Sequence, residues 1–334
     1  MEIKGAVLAA LEQEKGQFLS GSALAAQLFV SRNAVWKAVK ALEEDGHRIQ
    51  AVTNKGYCLL AESDILSAAA IEKHLGDRAG TFKIEVVKQT TSTNTALKHK
   101  AGRGAPEGTV LVAEEQTEGR GRQGRSFYSP DDTGVYFSLL LRPRLSAMDA
   151  ALITAAAAVA ACEAIEAVAG KQASIKWVND LFVGGKKVCG ILTEGAFDME
   201  SGGLDYVVVG IGINVALQRG GFPEDLRDVA GALYEGAAPV GVKARLIAEV
   251  LKRLWQFYEK LSDKPFLTPY KKRSFLIGQD VDVLAGDKTR KARAMDIDDG
   301  CRLIVQYDDG LIDALSSGEV RVRPRKAPSG ADKK

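Results

Sequence analysis

Three arginines alternate with three glycines in Gly119-Arg120-Gly121-Arg122-Gln123-Gly124-Arg125. A guanidinium is a planar fork of N–H donors that matches a carboxylate or a phosphate, and glycine lets the backbone close over such a group. The stretch therefore reads as a loop built to hold an anion, entered from a strand beginning Thr109-Val110-Leu111-Val112. Gly119-x-Gly121-x-x-Gly124 also has the form of a dinucleotide fingerprint. That motif needs a helix opening at its glycines and an acidic residue about 20 positions on. Ser126-Phe127-Tyr128-Ser129-Pro130 follows instead, and the next strand, Val135 to Leu141, runs into Arg142 and Arg144, so the fingerprint is set aside. A solvated basic turn or a nucleic-acid patch remains the plain alternative for this loop alone.

Other polar groups fall at the ends of strands. Lys176 ends the strand Ser174 to Trp177 and is followed by Asn179-Asp180. Thr90 to Thr95 carries five hydroxyls and the Asn94 amide between a strand, Lys83 to Gln89, and a helix, Thr95 to Ala101. Such groups suit a polar ligand ring, although helix capping accounts for some of them equally well. Tyr206 to Val215 is an apolar strand whose Gly210 and Gly212 admit close backbone approach by a ligand, with Asn214 at its end.

These segments need a scaffold, and the intervening sequence supplies one. Ser146-x-x-Asp149 resembles a capping box that starts an alanine-rich helix ending at Gly170, apolar enough to be buried against a sheet. Asp180 to Glu194 reads as a hairpin turned at Gly184-Gly185. Gly241 to Leu261 reads as an amphipathic helix. From Ile277 onward, short strands separated by Asp-Gly and Ser-Gly turns suggest a small barrel.

The first 62 residues form a separate unit. Gly16 ends a first helix, Ser22 to Leu28 is a second, Phe29-Val30 a turn, and Ser31 to Glu44 a third helix with a serine cap. Two short helices joined by a tight turn suggest a helix-turn-helix, with Ser31, Arg32, Asn33, Trp36, Lys37 and Lys40 facing DNA and Val35, Val39 and Leu42 packing inward. Arg48 to Val52 and Gly56 to Leu60 flank Thr53-Asn54-Lys55, a basic hairpin tip that completes a winged helix. A three-helix protein-interaction module is the alternative, because the positive charge is modest.

Forty-five basic and 43 acidic residues leave a net charge of +2, so any nucleic-acid surface is local. Cys58, Cys162, Cys189 and Cys301 are scattered without a CxxC pair, and His47, His74 and His99 are isolated, which argues against a disulfide framework or a zinc site. The amphipathic N-terminus does not resemble a signal peptide, and the longest uncharged run, Ala150 to Cys162, is 13 residues, too short to span a bilayer. A cytoplasmic protein with no membrane partner is expected. The expected divisions are 1–62, a winged helix-turn-helix; 67–272, a catalytic domain; 273–323, an SH3-like barrel; and 324–334, a disordered tail.

Taken in order, Ser92-Thr93-Asn94, Gln116, the Gly119 to Arg125 loop, Lys176-Trp177-Val178-Asn179-Asp180, Gly190-Ile191-Leu192 and Gly210-Ile211-Gly212-Ile213-Asn214 resemble the bifunctional biotin protein ligases that also repress the biotin operon. The resemblance spans nearly the whole chain. It implies an α+β protein with a winged helix-turn-helix, a central mixed-sheet ligase domain and a small C-terminal barrel. It also implies an ATP-dependent ligase that makes biotinyl-5′-AMP and passes biotin to a lysine of a carrier protein, that of acetyl-CoA or pyruvate carboxylase. Lys176, Arg120 and Arg122 would be catalytic. Ser92, Thr93, Asn94, Gln116, Arg120, Gly121, Arg122 and Lys176 would hold biotin, and Arg122, Arg125, Asn179, Lys187 and Asn214 the nucleotide. Mg2+ would accompany ATP, with no protein metal site. Unconsumed biotinyl-5′-AMP would favour a homodimer on operator DNA, with Ser31, Arg32, Asn33, Trp36, Lys37, Lys40 and Lys55 at the interface. A ligase with a vestigial DNA-binding unit and a non-catalytic biotin sensor are the alternatives. Two positions depart from the pattern: Val178 replaces the family's proline and removes a rigid φ angle ahead of Asn179, and Glu118 is expected to pair with Arg120 or Arg122 when ligand is absent.

Overall fold

The computed structural model describes residues 2–143, 150–197, 203–217, 219–285, 288–316 and 318–322. Serine caps set out the first unit, which holds α1 (Ile3–Gln13), α2 (Gly21–Gln27), α3 (Arg32–Glu44) and the antiparallel pair β1 (Ile49–Val52) and β2 (Gly56–Leu59). Ser20 Oγ accepts from Ala23 N (3.0 Å) and Ser31 Oγ from Ala34 N (3.1 Å), satisfying amides that no helical carbonyl reaches. The second helix thus starts ahead of Ser22. Val7, Leu11, Leu24, Val35, Val39, Leu42 and Leu59 form the core of this winged helix.

The central unit is one mixed sheet between helical layers. Its strands are β3 (Lys83–Thr90), β4 (Thr109–Gln116), β5 (Gly134–Leu141), β6 (Ser174–Lys176), β7 (Asp180–Val183), β8 (Lys186–Phe197) and β9 (Leu204–Asn214). They lie in the order β3-β4-β5-β9-β8-β7-β6, with β3 and β4 parallel and the remaining neighbours antiparallel. Alternation within each strand assigns its faces. Val110, Val112, Leu139, Leu141, Val207 and Val209 belong to the main core with α6 (Ala150–Ala169) and α7 (Val242–Glu259). Leu111, Leu140 and Val208 turn to the other face and meet Leu97 of α5 (Thr93–Ala101). Cover on both faces explains why these strands read as continuous apolar runs. By length and composition α6 could cross a bilayer, but 67% of its apolar window is buried inside this core. The capping box expected at Ser146 and Asp149 lies outside the described residues, as does Arg144.

Two short helices complete the layer: α4 (Ala68–Leu75), capped by Ser67, and α8 (Leu267–Arg273). Asp64, between the first and second units, accepts from Gly241 N (2.7 Å) at the start of α7. The C-terminal unit is a five-stranded antiparallel sheet in the order β13-β12-β11-β10-β14, formed by β10 (Asp280–Ala285), β11 (Lys288–Ile297), β12 (Leu303–Tyr307), β13 (Ile312–Leu315) and β14 (Glu319–Val322). Its core residues Val281, Ala292, Leu303 and Val305 are continuous with the main core. Trp177 Nε1 donates to Cys301 O (2.9 Å), tying this sheet to the strand that carries Lys176. Gly286, Asp287, Ser317 and the expected tail from Pro324 to Lys334 lie outside the described residues.

Candidate active site

The polar floor of the site is built across three strands. Gln116, the last residue of β4, turns its Oε1 to the start of α5, where it accepts from Thr93 N (2.9 Å) and Thr93 Oγ1 (3.1 Å). Its Nε2 donates to Ser129 Oγ (2.9 Å). Ser92 occupies the cap position without making a side-chain cap, so α5 begins at Thr93, two residues earlier than its sequence suggests. Asn94 is 3% exposed and fully committed. Its Nδ2 donates to Leu192 O (3.1 Å) and Glu194 Oε2 (2.9 Å), and its Oδ1 accepts from the buried Ser138 hydroxyl (2.6 Å).

The arginine loop folds back on itself as a short hairpin. Phe127 N donates to Gly119 O (2.8 Å), Gly121 N to Arg125 O (2.7 Å), and Arg120 bridges Ser126. A Cβ on Gly119 would sit 2.3 Å from Phe127 O, so this turn requires glycine. No α-helix follows the glycines, which removes the dinucleotide reading. The ring of Phe127 lies over Gly190 and Gly212, which are register partners on β8 and β9. A Cβ at Gly212 would meet Phe127 and one at Gly210 the Asn94 side chain, and both glycines line the cavity.

Two of the loop arginines meet polar groups carried by β8 and by the turn between β6 and β7. Arg120 Nη1 lies 3.1 Å from Glu194 Oε1, which also receives Lys98 Nζ at 2.7 Å. Burial opposes ionisation of Glu194, but hydrogen bonds from Lys98 and Asn94 and the charges of Lys98 and Arg120 together hold its carboxyl below the usual range. The expectation for Glu118 is corrected: it is exposed and carries no ion pair among the described residues, because its segment is held along Thr91 O. Arg122 Nη1 donates to Asn179 Oδ1 (3.3 Å). Burial lowers the proton affinity of the Arg122 guanidinium, with the charge of Asp180 acting the other way. A guanidinium stays charged under this penalty, so Arg122 is a cation partly stripped of water.

Asn179 is fixed without proline. Its Nδ2 donates to Ile191 O (2.6 Å) and its main-chain oxygen accepts from Ile191 N (3.1 Å), which locks the turn to β8. The Trp177–Val178 peptide is cis, and Val178 O accepts from Tyr270 Oη (2.8 Å). Lys187 Nζ pairs with Asp180 Oδ1 at 2.6 Å.

Ser92, Thr93, Asn94, Gln116, Arg120, Gly121, Arg122, Arg125, Lys176, Asn179 and Lys187 line one cavity of about 140 Å³. Asn214 does not. It is buried beyond Gly212 and donates from Nδ2 to Gly231 O (2.9 Å). Glu194 and Ser138, which orient the lining, and Phe127, which closes it, carry no motif of their own. The available signal for Glu194 was the single carboxylate of its strand. Gly318 and Val320 also line the cavity, so the C-terminal sheet forms part of its wall.

In the winged helix, Arg32, Asn33 and Trp36 face Thr53 and Asn54 of the hairpin tip across an open groove of about 850 Å³. Lys37 and Lys40 are exposed, and Lys55 Nζ sits 5.8 Å above the Phe18 ring. Two of the expected DNA-facing groups are engaged within the domain: Ser31 Oγ caps α3, and Lys40 pairs with Glu43 at 2.6 Å.

A mixed-sheet domain with convergent cations, joined to a helix-turn-helix and a C-terminal β-sheet, defines the class, and sequence relationships agree with it. Residues 86–214 match the Biotin/lipoate A/B protein ligase family, residues 5–58 an HTH domain, and residues 276–323 the Biotin protein ligase C terminal domain. The chain is 34% identical over 309 residues to the bifunctional ligase/repressor BirA of Bacillus subtilis, covering 90% of this chain and 92% of that protein. It is 28% identical to the Escherichia coli bifunctional ligase/repressor BirA, covering 92% and 94%. The biotin protein ligase of Aquifex aeolicus, solved in complex with biotin and ATP, superposes with a TM-score of 0.60 at 30% identity, covering 72% of this chain and 98% of that one. The chain belongs to the biotin protein ligase family, in its bifunctional ligase/repressor form.

Proposed function

We propose that this cavity joins biotin to AMP and then to a carrier lysine. In the first step a biotin carboxylate oxygen attacks the α-phosphorus of MgATP, and pyrophosphate leaves. In the second the carrier amine attacks the acyl carbon, and AMP leaves. The observation that carries this reading is the convergence of Lys176, Arg120, Arg122 and Lys187 on one cavity that Ser92, Thr93 and Gln116 also line. Two anions repel as they approach, and fixed cations in a partly dry site offset that repulsion and the charge that grows on the phosphate. Lys176 is assigned to the carboxylate and α-phosphate, Arg120 and Arg122 to the same groups from the loop, and Arg125, Asn179 and Lys187 to the nucleotide. Asn94 supports the biotin end by orienting its neighbours. Mg2+ arrives on the phosphate oxygens of ATP.

The N-terminal unit is proposed to bind operator DNA as a homodimer favoured by biotinyl-5′-AMP, in the cytoplasm, with the carrier domains of acetyl-CoA or pyruvate carboxylase as the competing acceptors. Engagement of Ser31 and Lys40 within the domain favours a second reading, a ligase whose DNA-binding unit is vestigial. Incubation with MgATP, labelled biotin and a biotin carboxyl carrier domain tests the ligase; label must appear on the carrier only when ATP is present. A gel shift on DNA upstream of the biotin synthesis genes, with and without biotin and ATP, separates the two readings.

A further inference from the structure

The turn between α2 and α3 carries a side chain that its backbone does not need. Val30 N donates to Ala25 O (3.0 Å) and Phe29 N to Ala26 O (3.3 Å), the pair of bonds that ends a helix through a left-handed residue. That residue is Phe29, at φ 54°. Glycine is the usual occupant of such a position, and a bulky side chain there is an outlier. The ring is 96% exposed and absent from the core of the domain. It stabilises neither the turn nor the packing.

The surroundings indicate what it meets. Phe29 stands two residues before Ser31, the cap of α3, in the turn that leads into the exposed Arg32 and Asn33. The N-terminal end of this helix is the end that a helix-turn-helix presents to base edges in the major groove. No aspartate or glutamate occurs between Glu14 and Glu43, while Lys15, Arg32, Lys37 and Lys40 fall in that interval. A segment with no acid and an exposed aromatic at its turn is complementary to a polyanion that also offers an apolar feature. The thymine C5-methyl group is that feature in the major groove.

We infer that Phe29 is a DNA-contacting residue whose ring packs on a thymine methyl next to the bases met by Arg32 and Asn33. The inference rests on the reading of the N-terminal unit as DNA-binding. Its test uses the full-length protein with biotin and MgATP, a labelled duplex from upstream of the biotin synthesis genes, and a scrambled duplex of equal length. Wild-type preference for the first duplex supports the DNA reading by itself; no preference overturns that reading and the inference with it. Given that preference, Phe29→Gly binds the specific duplex on the order of tenfold more weakly and the scrambled one equally well. One thymine-to-deoxyuridine replacement weakens the wild type to a similar extent and leaves Phe29→Gly unaffected. The variant keeps its ligase rate and an equal or higher thermal midpoint, because glycine adopts the left-handed turn without strain. Wild-type-like specific binding by Phe29→Gly, or equal deoxyuridine effects in both proteins, overturns the inference while leaving the DNA reading standing.

Discussion

Arg120 Nη1 lies 3.1 Å from Glu194 Oε1, and the same oxygen holds Lys98 at 2.7 Å. Glu194 is therefore a shared anion from which Arg120 can depart while Lys98 continues to compensate the charge. Removing that charge takes away the ion-pair partner of Arg120. Glu194→Gln is expected to speed tryptic cleavage after Arg120 in the ligand-free protein by about 1.5- to 5-fold, the range set by about 0.2–1 kcal/mol for a half-exposed pair. Protection by biotinyl-5′-AMP should remain. Unchanged cleavage without ligand would show that the pair does not restrain the loop.

The contact of Phe127 with the glycine strip gives a second expectation. A Cβ on Gly212 would lie 2.4 Å from the Phe127 ring, so Gly212→Ala must displace the loop. Displacing a positioned cation by about an ångström costs on the order of a hundredfold in rate, and a loss of that order is expected in kcat/KM for biotin. Adding Phe127→Ala relieves the clash and should restore part of the affinity for biotin. Full activity of Gly212→Ala would contradict the seating of the ring.

Tyr270 is fully buried, and its hydroxyl donates to Val178 O at 2.8 Å, directly behind Asn179. Tyr270→Phe leaves that carbonyl without its partner, and a loss of about 1–3 kcal/mol is expected in chemical denaturation. kcat should fall more than KM rises, because the turn that aims Asn179 loosens. An unaltered denaturation midpoint would count against this support.

His47 is buried, its Nδ1 has no partner among the described residues, and burial lowers its affinity for a proton from the ordinary value of 6.5. The folded winged helix thus prefers neutral imidazole. Its contribution to stability is complete above about pH 6.5 and is lost as pH falls through the lowered value. Amide exchange in α3 should accelerate as pH falls below the ordinary value of 6.5, beyond the intrinsic trend. His47→Phe should remove the excess; an identical slope in the variant would assign it elsewhere.

Legibility in the sequence followed the range of the interactions. Ser31 caps its own helix and the Gly56 hairpin closes on itself, so the winged helix could be read from neighbours in the chain. The strands β4, β5 and β9 were likewise legible as apolar runs. The start of α5 was not, because its cap is Gln116, 23 residues away.

The same reasoning separates the site residues. The arginines and Lys176 announce themselves by charge in unusual settings, and all reach the cavity. Asn94 and Asn214 have the chemistry of ligands, and both also bond within the protein, one to Ser138, Leu192 and Glu194 and the other to Gly231. Gly210 and Gly212 signalled close approach correctly. What approaches, the Asn94 amide and the Phe127 ring, is decided by strand register that no local pattern contains.

The central claim is that Lys176 and the loop arginines stabilise the union of a carboxylate with an α-phosphate. Biotin-dependent exchange of labelled pyrophosphate into ATP isolates that step from carrier transfer. The wild type should exchange label only when biotin is present, and Lys176→Ala should lower the rate by at least about a hundredfold, the effect of removing one preorganised charge donor. Exchange by Lys176→Ala at the wild-type rate, or none by the wild type with biotin and MgATP, would contradict the account.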